Sequence, residues 1–360
     1  MPLSQKKKVY TPTFMSNRII TYTEAIKEAT DQIMDVDQDV VVMGLEVSYK
    51  NGADGTTAGL KEKYPCRIIE TPQSENAVTG MAVGAAITGL HPIVHHGRVE
   101  FALFAADQIF TQAAKWNYMF GGGHSVPVVF RINIGRQWSQ GPQHTQALYS
   151  LFGNTLGLKV VIPSTPRMAK GLLVSAVRDR NPVVILEPRW LFSLRQNVSI
   201  ELYDVPLNKA VVVKEGADLT IVSYGDGFIA AYEALKLISG HIDAELIDLV
   251  SINPIDYGTV LKSVKKTGRL ITIDTTNHAF SIGSDIIAKV AEKHLMYLKN
   301  APISLFCPDV PVPTSTILTE SYYPTKVDIA NAILSLIGKP TFKHKLTFEE
   351  LHTPPNLIVE

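Results

Sequence analysis

The sequence predicts an α/β protein of two domains, each with a mostly parallel sheet covered by helices on both faces. Short runs that are apolar on both faces alternate with helical patterns along the chain, as is typical of parallel sheets buried on both sides. The chain also has 360 residues, more than one hydrophobic core normally supports. We therefore expect two separate cores.

The first half of the chain alternates predicted strands and helices in regular order. The pattern Thr21-Tyr22-Thr23-Glu24 predicts a capping box, and an apolar stripe with helical spacing follows it. Further helices are predicted over residues 101–118 and 166–179. The predicted strands cover residues 40–44, 67–69, 92–94, 126–132, 158–162 and 182–186.

A cluster of Asn, Asp and Pro near residues 199–207 marks a seam, after which a second, smaller α/β pattern starts. Its predicted strands cover residues 219–223, 244–249, 269–273 and 303–306, and its predicted helices cover 228–238, 256–265, 282–292 and 327–337. The predicted boundaries are a disordered arm (1–15), a first domain (16–200), a linker (201–210), a second domain (211–340) and a polar tail (341–360). We expect the tail to dock on a partner.

Composition excludes several classes of protein. Lys plus Arg equals Asp plus Glu, so the formal net charge is zero, which argues against a nucleic-acid or anionic-membrane surface. The two cysteines, Cys66 and Cys307, are too few for a disulfide framework and lack metal-binding spacing. Charged residues or His interrupt every apolar run before it reaches the length of a membrane span. We therefore expect a cytoplasmic protein.

Residues 67–75 place one carboxylate at the start of a helix. A short apolar strand leads to Glu75, and a run rich in Gly, Ala, Val and Met follows. A carboxylate beside such an apolar wall is suited to share a proton with a ligand nitrogen. Helix capping is the alternative, because acidic side chains favour the first helical turn.

Two segments with histidine follow predicted strands. His144 lies in a polar, Gly-containing loop, where an imidazole can exchange protons near neutral pH, although a lone histidine more often has only a structural, hydrogen-bonding role. His95 and His96 end a strand, where ligands bind in open α/β sheets. Neighbouring strand residues point to opposite faces, so these two are poorly placed to share a metal ion.

Two further patterns each allow two interpretations. Gly225-Asp226-Gly227, followed by Asn253, is similar to the Mg²⁺ and diphosphate motif of thiamine-diphosphate enzymes, but it also suits a strand-to-helix turn. Phe101 and Phe104 begin an aromatic-rich helix that either packs in a core or stacks on a flat heterocycle.

Taken together, these segments resemble the beta subunits of the decarboxylating component of 2-oxo acid dehydrogenase complexes, of the pyruvate, branched-chain and acetoin type. Thr71-Pro72-Gln73-Ser74-Glu75 is the central match, and the resemblance spans about residues 18–338 in constant order. The other matching segments are 80–90, 107–109, 112–115, 143–146, 157–163, 169–172, 177–183 and 309–313.

The resemblance implies a transketolase-like pyrimidine-binding domain followed by a transketolase C-terminal domain. It also implies thiamine diphosphate bound between this chain and an alpha subunit, which would hold Mg²⁺ and the diphosphate in an alpha2beta2 heterotetramer. Gly225-Asp226-Gly227 would then be incidental. A lipoyl acyltransferase and a small 2-oxo acid would be further partners.

The resemblance also assigns roles to individual residues. Glu75 matches the glutamate that hydrogen-bonds the cofactor's aminopyrimidine, and His144 matches a loop histidine that orients substrate and assists acyl transfer to lipoamide. The expected cofactor-binding residues are Glu46, Gln73, Ser74, Glu75, Phe101 and Phe104. A structural potassium site of some members matches Asp179 and Asn181 with the carbonyls of Val128, Ala176 and Val177.

The chain departs from the family pattern after the strand that ends at Val94. His95-His96-Gly97-Arg98 stands where the family usually has Glu and apolar residues, in a stretch expected to line the substrate cavity. His95, His96 and Arg98 are therefore candidate substrate contacts, and the 2-oxo acid is left open. The alternatives are half of a split transketolase, a carboligase that transfers the acyl group to an aldehyde, and a non-catalytic scaffold.

Overall fold

The computed structural model describes residues 18–136, 140–355 and 357–359, so the predicted arm over 1–15 lies outside the described residues. Its strands are β1 (Ile19–Thr21), β2 (Val40–Gly44), β3 (Ile68–Glu70), β4 (His91–His96), β5 (Val129–Ile134), β6 (Lys159–Val161), β7 (Val183–Pro188), β8 (Arg195–Asn197), β9 (Val211–Lys214), β10 (Leu219–Ser223), β11 (Ala244–Asp248), β12 (Ser251–Asn253), β13 (Leu270–Asn277), β14 (Ile303–Cys307) and β15 (Ile358–Val359).

The α-helices are α1 (Tyr22–Val36), α2 (Leu60–Lys63), α3 (Glu75–Ile87), α4 (Val99–Ala102), α5 (Ala114–Met119), α6 (Tyr149–Gly153), α7 (Pro166–Val177), α8 (Gly225–Leu237), α9 (Tyr257–Thr267), α10 (Ile282–His294), α11 (Thr316–Thr319), α12 (Lys326–Leu336) and α13 (Phe348–His352). Short 3₁₀ turns occupy Ala53–Gly55, Leu103–Ala105, Arg189–Leu191 and Leu295–Tyr297, and a π-helix occupies Asp107–Ala113.

The first sheet has the strand order β12-β6-β7-β5-β4-β2-β3. Its strands are parallel except β12, which comes from the second half of the chain and pairs antiparallel with β6. β5 and β7 are buried along their whole length, as the apolar runs predict. Because β12 extends this sheet, the two halves of the chain share backbone hydrogen bonds.

The second sheet has the order β14-β13-β10-β11-β9 and is parallel except for β9. Its central strand β10 is fully buried. Helix α8 packs on β10 and β13, and α12 packs on α8. The two-domain α/β fold expected from the sequence is therefore confirmed.

The predicted helix 101–118 is interrupted, since α4, a 3₁₀ turn, a π-helix and α5 follow one another there. The wider π turn keeps Ile109 and Ala113, four residues apart, fully buried. The capping box at α1 is confirmed, because Thr21 N–H donates to the Glu24 carboxylate at 2.7 Å and Glu24 N–H donates to Thr21 Oγ1 at 3.2 Å.

The tail, which was expected to dock on a partner, packs on its own chain. β15 pairs with β8 in a third sheet of order β1-β8-β15, and Val359 is only 2% exposed. Lys326 holds α13 through Glu350, with Nζ 2.9 Å from Oε1. The tail docks here because β8 offers an unpaired strand edge and a buried position for one apolar side chain.

Candidate active site

The candidate site lies at the edge of the first sheet where β2, β3, β4, β5 and β7 reach their carboxyl ends. Ligands of open parallel sheets bind at this edge because the loops that follow the strands converge there. The residues expected to act on cofactor and substrate lie in those loops or in the helical segments that follow them, except His95 and His96, which end β4 itself.

Glu75 is the first residue of α3 and is half-buried. Ser74 occupies the N-cap position without a side-chain cap bond, and Gln73 and Ser74 are exposed. Within the part of the chain that the structure describes, the Glu75 carboxylate has neither a hydrogen bond nor an ion pair. The capping alternative therefore explains its position in the first turn but gives its side chain no partner.

Glu70 fixes the loop that carries Glu46. Its carboxylate accepts the backbone N–H of Glu46 at 2.6 Å, the N–H of Ser48 at 3.0 Å and the Ser48 hydroxyl at 2.8 Å. Glu46 has a left-handed backbone (φ 62°), a conformation that a non-glycine residue rarely adopts without such support. Sequence reasoning missed Glu70, although its position as the last residue of a strand was the available signal.

Phe101 and His144 are in contact. Their ring centroids are 5.6 Å apart and their planes meet at 89°. Glu100 holds the His144 loop against α4, because its carboxylate accepts the Gln146 backbone N–H at 2.8 Å. Residues 137–139 of this loop lie outside the described residues.

Phe104 is largely exposed, unlike the half-buried Phe101. Its side chain is 71% exposed, while its carbonyl accepts a hydrogen bond at 3.3 Å from Asn76, the residue after Glu75. Phe104 therefore lies beside the start of α3 and presents its ring outwards.

The adjacent histidines face opposite sides of the sheet, as the strand geometry predicts. His96 Nε2 lies 3.3 Å from Thr79 Oγ1 of α3, and burial lowers the pKa of His96 to about 4. His95 lies beside Arg131 in strand register, and its Nδ1 is buried without a hydrogen-bond partner. Burial, followed by the charge of Arg131, lowers the pKa of His95 well below its usual range. Both rings are therefore neutral at physiological pH.

Two sets of paired polar side chains lie at this end of β5 and β7. Arg131 donates to both Glu187 oxygens, at 2.7 and 2.9 Å, and both residues are almost fully buried. Asp54 accepts from Asn133 Nδ2 at 2.7 Å and pairs with Arg189. These residues were not predicted, and paired polar residues on neighbouring apolar strands were the only signal.

Of the expected potassium ligands, Asp179 and Asn181 lie in the loop between α7 and β7, Ala176 and Val177 end α7, and Val128 precedes β5. Asp179 Oδ1 accepts the Asn181 N–H at 2.9 Å, the Asp179 N–H donates to the Ala176 carbonyl at 3.2 Å, and the Val128 carbonyl accepts the Val183 N–H at 3.0 Å. The Lys159 ammonium pairs with the other oxygen of Asp179. The oxygen donors suit a potassium ion, but the ion would share this carboxylate with Lys159.

Gly225-Asp226-Gly227 forms the start of α8. Asp226 is buried and accepts the Thr275 hydroxyl at 2.9 Å, and Asn253 Nδ2 donates to the Thr155 carbonyl at 3.2 Å. The turn interpretation therefore holds, and Tyr224 occupies the N-cap position of α8.

Among the residues described, no three or more His, Cys, Asp or Glu side chains are grouped so that they could hold a metal ion. The same part of the chain contains no helix with the length and apolarity needed to cross a bilayer.

Comparison with known proteins identifies the family. Residues 18–193 match the family model "Transketolase, pyrimidine binding domain", and residues 208–329 match "Transketolase, C-terminal domain". The acetoin:2,6-dichlorophenolindophenol oxidoreductase subunit beta of Cupriavidus necator is 41% identical over 320 residues, which cover 86% of this chain and 94% of that protein. This chain belongs to the family of beta subunits that includes this relative and that was expected from the sequence.

Other relatives agree. The pyruvate dehydrogenase E1 component subunit beta of Acholeplasma laidlawii is 40% identical over 298 residues, covering 82% of this chain and 91% of that protein. A solved structure of a split-gene transketolase, described as an inactive beta4 tetramer, aligns with a TM-score of 0.72 at 21% identity and covers 89% of this chain and 98% of that one. The structural likeness shows the transketolase-like fold, and the family resemblance expected from the sequence is confirmed.

Proposed function

We propose that this chain is the beta subunit of a thiamine-diphosphate-dependent 2-oxo acid dehydrogenase component and shares its active site with an alpha subunit. The observation that carries the proposal is Glu75, a half-buried carboxylate without a partner in the described structure, at the same sheet edge as the Phe101–His144 contact. Relatives named as pyruvate and acetoin dehydrogenase beta subunits support the assignment.

The residues present fit the pyrimidine half of the cofactor. Glu75 has a free carboxylate that can share a proton with a ring nitrogen, and Phe101 offers an aromatic ring at the same sheet edge. Gln73, Ser74, Glu46 and Phe104 surround the start of α3 and the Glu70-anchored loop, and we assign them to the same site. Bound thiamine diphosphate would supply the carbon nucleophile and the electron sink that decarboxylation requires.

His144 is the proposed proton-transfer group for substrate and acyl acceptor. Its imidazole is held on a loop fixed by Glu100 and against the Phe101 ring, so its orientation is set before substrate binds. This positioning is what general acid–base catalysis requires of the side chain.

An alpha partner completes the proposal. Asp226 is already engaged by Thr275, so its carboxylate is poorly placed to hold Mg²⁺ and the diphosphate, which we assign to the partner. Large apolar side chains are exposed on and beside α3 and α5, as expected for a surface covered in an assembly. They are Met81, Phe104, Tyr118 and Met119.

The assembly, the acyl acceptor and the bound cation are assigned from the family resemblance. We propose an alpha2beta2 heterotetramer, lipoamide on an acyltransferase as acceptor, and a potassium ion held by Asp179, Asn181 and the carbonyls of Val128, Ala176 and Val177. The small number of cysteines fits a reducing compartment such as the cytoplasm.

The test is Glu75→Gln in the reconstituted alpha–beta complex. Because the amide cannot accept and release the proton, we expect thiamine-diphosphate-dependent decarboxylation to fall by about two orders of magnitude or more. Glu292→Gln, which changes an exposed carboxylate on α10, is the matched control and should leave turnover unchanged. Unchanged turnover in Glu75→Gln would falsify the catalytic role. A separate assay that supplies either lipoamide or an aldehyde to the wild-type complex identifies which of them accepts the acyl group.

A further inference from the structure

Arg98 is the cation that lies next to the Phe101–His144 contact. The Phe101 N–H donates to the Arg98 carbonyl at 3.2 Å, and one Arg98 terminal nitrogen donates at 2.9 Å to Gln140 Oε1, in the loop that carries His144. The other donates to the Gly97 carbonyl at 2.7 Å. The guanidinium contacts no carboxylate among the described residues, and its Nε is buried without a partner. It therefore has hydrogen-bonding capacity left for an anion.

The carboxylates whose charge acts on Arg98 are Asp54, Glu100 and Glu46. Asp54 is occupied by Arg189 and Asn133, and Glu100 accepts the Gln146 N–H. Glu46 is exposed to solvent, where its charge is screened. Within the described structure, none of these carboxylates forms a hydrogen bond or ion pair with the Arg98 guanidinium, which bonds to Gly97 and Gln140 instead.

Several arginines act electrostatically on the neighbouring His95. Besides burial, the groups that lower its pKa are Arg131, His96, Arg189 and Arg98. Glu187 compensates Arg131, and Asp54 compensates Arg189, so Arg98 is the arginine of this set that is not paired with a carboxylate in the described structure. Within the described residues, Arg98 is therefore an arginine without a carboxylate partner at the carboxyl end of β4, next to the proposed site.

We propose that the substrate carries a second anionic group, a carboxylate or phosphonate, which Arg98 binds. This inference rests on the proposed function and narrows it to 2-oxo acids with an acidic side chain. The reacting carboxylate is a poor ligand for Arg98, because an ion pair with it would stabilise the reactant more than the transition state, in which that charge is lost.

The test compares Arg98→Met with Arg98→Lys and wild type in the reconstituted complex. Substrates are 2-oxoglutarate and its neutral isostere 5-methyl-2-oxohexanoate, with 3-phosphonopyruvate distinguishing phosphonate from carboxylate. We expect kcat/KM for the acidic substrate to fall about 10- to 100-fold in Arg98→Met, as for loss of a charge-assisted hydrogen bond. Arg98→Lys should retain part of the preference for the acidic substrate over the neutral one. Arg269→Met, which alters an arginine of the second domain, is the control for a lost surface charge.

A binding measurement separates failure of this inference from failure of the proposed function. Calorimetry on the same complex should show that succinate binds about tenfold more tightly than 4-methylpentanoate, and that Arg98→Met abolishes the difference. Equal losses for acidic and neutral substrates, or no binding preference in wild type, would overturn the inference. If no 2-oxo acid is decarboxylated and the Arg98-dependent binding persists, the anion site stands and the proposed function fails.

Discussion

His144 meets Phe101 edge to face, with ring centroids 5.6 Å apart and planes at 89°. The contact joins two sequence segments that follow different strands, β4 and β5. It links the ring proposed to lie against the cofactor pyrimidine to the imidazole proposed to move protons. The two side chains should therefore act as one unit.

We predict that changes at Phe101 and His144 are not additive. Phe101→Leu removes the ring that orients the imidazole, so part of its effect on kcat/KM should vanish when His144 is already Ala. Edge-to-face pairs are worth about 0.5–1.5 kcal/mol, and a coupling of that size is expected in a double-mutant cycle on the reconstituted complex. Strict additivity would show that the two residues act independently.

Removing one partner of the buried Arg131–Glu187 pair should lower the free energy of unfolding more than removing both partners. Arg131→Met leaves a buried, uncompensated carboxylate and is expected to lower the free energy of unfolding by about 3–5 kcal/mol. Arg131→Met combined with Glu187→Leu removes both charges and should recover much of this loss. Urea unfolding of the three proteins measures it, and a double variant less stable than Arg131→Met would contradict the argument.

Local patterns predicted the elements well, because each depends on a few neighbouring residues. The capping box at Thr21 and the opposite faces of His95 and His96 follow from helix and strand geometry alone. Contacts between distant segments were not readable in the same way. Asp54 meets Asn133 across 79 residues, and no spacing rule connects them. The return of the tail to β8 depends on an open strand edge that exists only once the sheet has formed.

Two neighbouring residues of the tail should differ strongly in how much a substitution lowers the free energy of unfolding. Val359 is 2% exposed and Ile358 is 47% exposed, although both lie in β15. Val359→Asp buries a carboxylate and should lower the free energy of unfolding by about 2 kcal/mol or more, whereas Ile358→Asp should change it by about 0.5 kcal/mol or less. Thermal or urea unfolding of both variants tests whether the tail is docked in solution. Equal effects would mean that it is not.

The contribution of Asp248 to the free energy of unfolding should fall as pH rises from about 4 to 7. Burial raises the pKa of this carboxyl to about 7, while it accepts hydrogen bonds from Ser164 Oγ at 2.9 Å and the Val250 N–H at 3.2 Å. Below the carboxyl's ordinary pKa, Asp248 is protonated in both the folded and the unfolded state. The group then makes no pH-dependent contribution to the free energy of unfolding.

Between the ordinary and the raised pKa of Asp248, the unfolded chain releases a proton that the folded chain retains. Unfolding then becomes more favourable by about 1.4 kcal/mol per pH unit from this group alone. Asp248→Asn keeps an oxygen acceptor for Ser164 and Val250 but removes the titration. We therefore expect the variant to gain stability relative to wild type as pH rises from 4 to 7, measured by urea unfolding at each pH. A difference between the two proteins that stays constant over this range would show that Asp248 titrates normally.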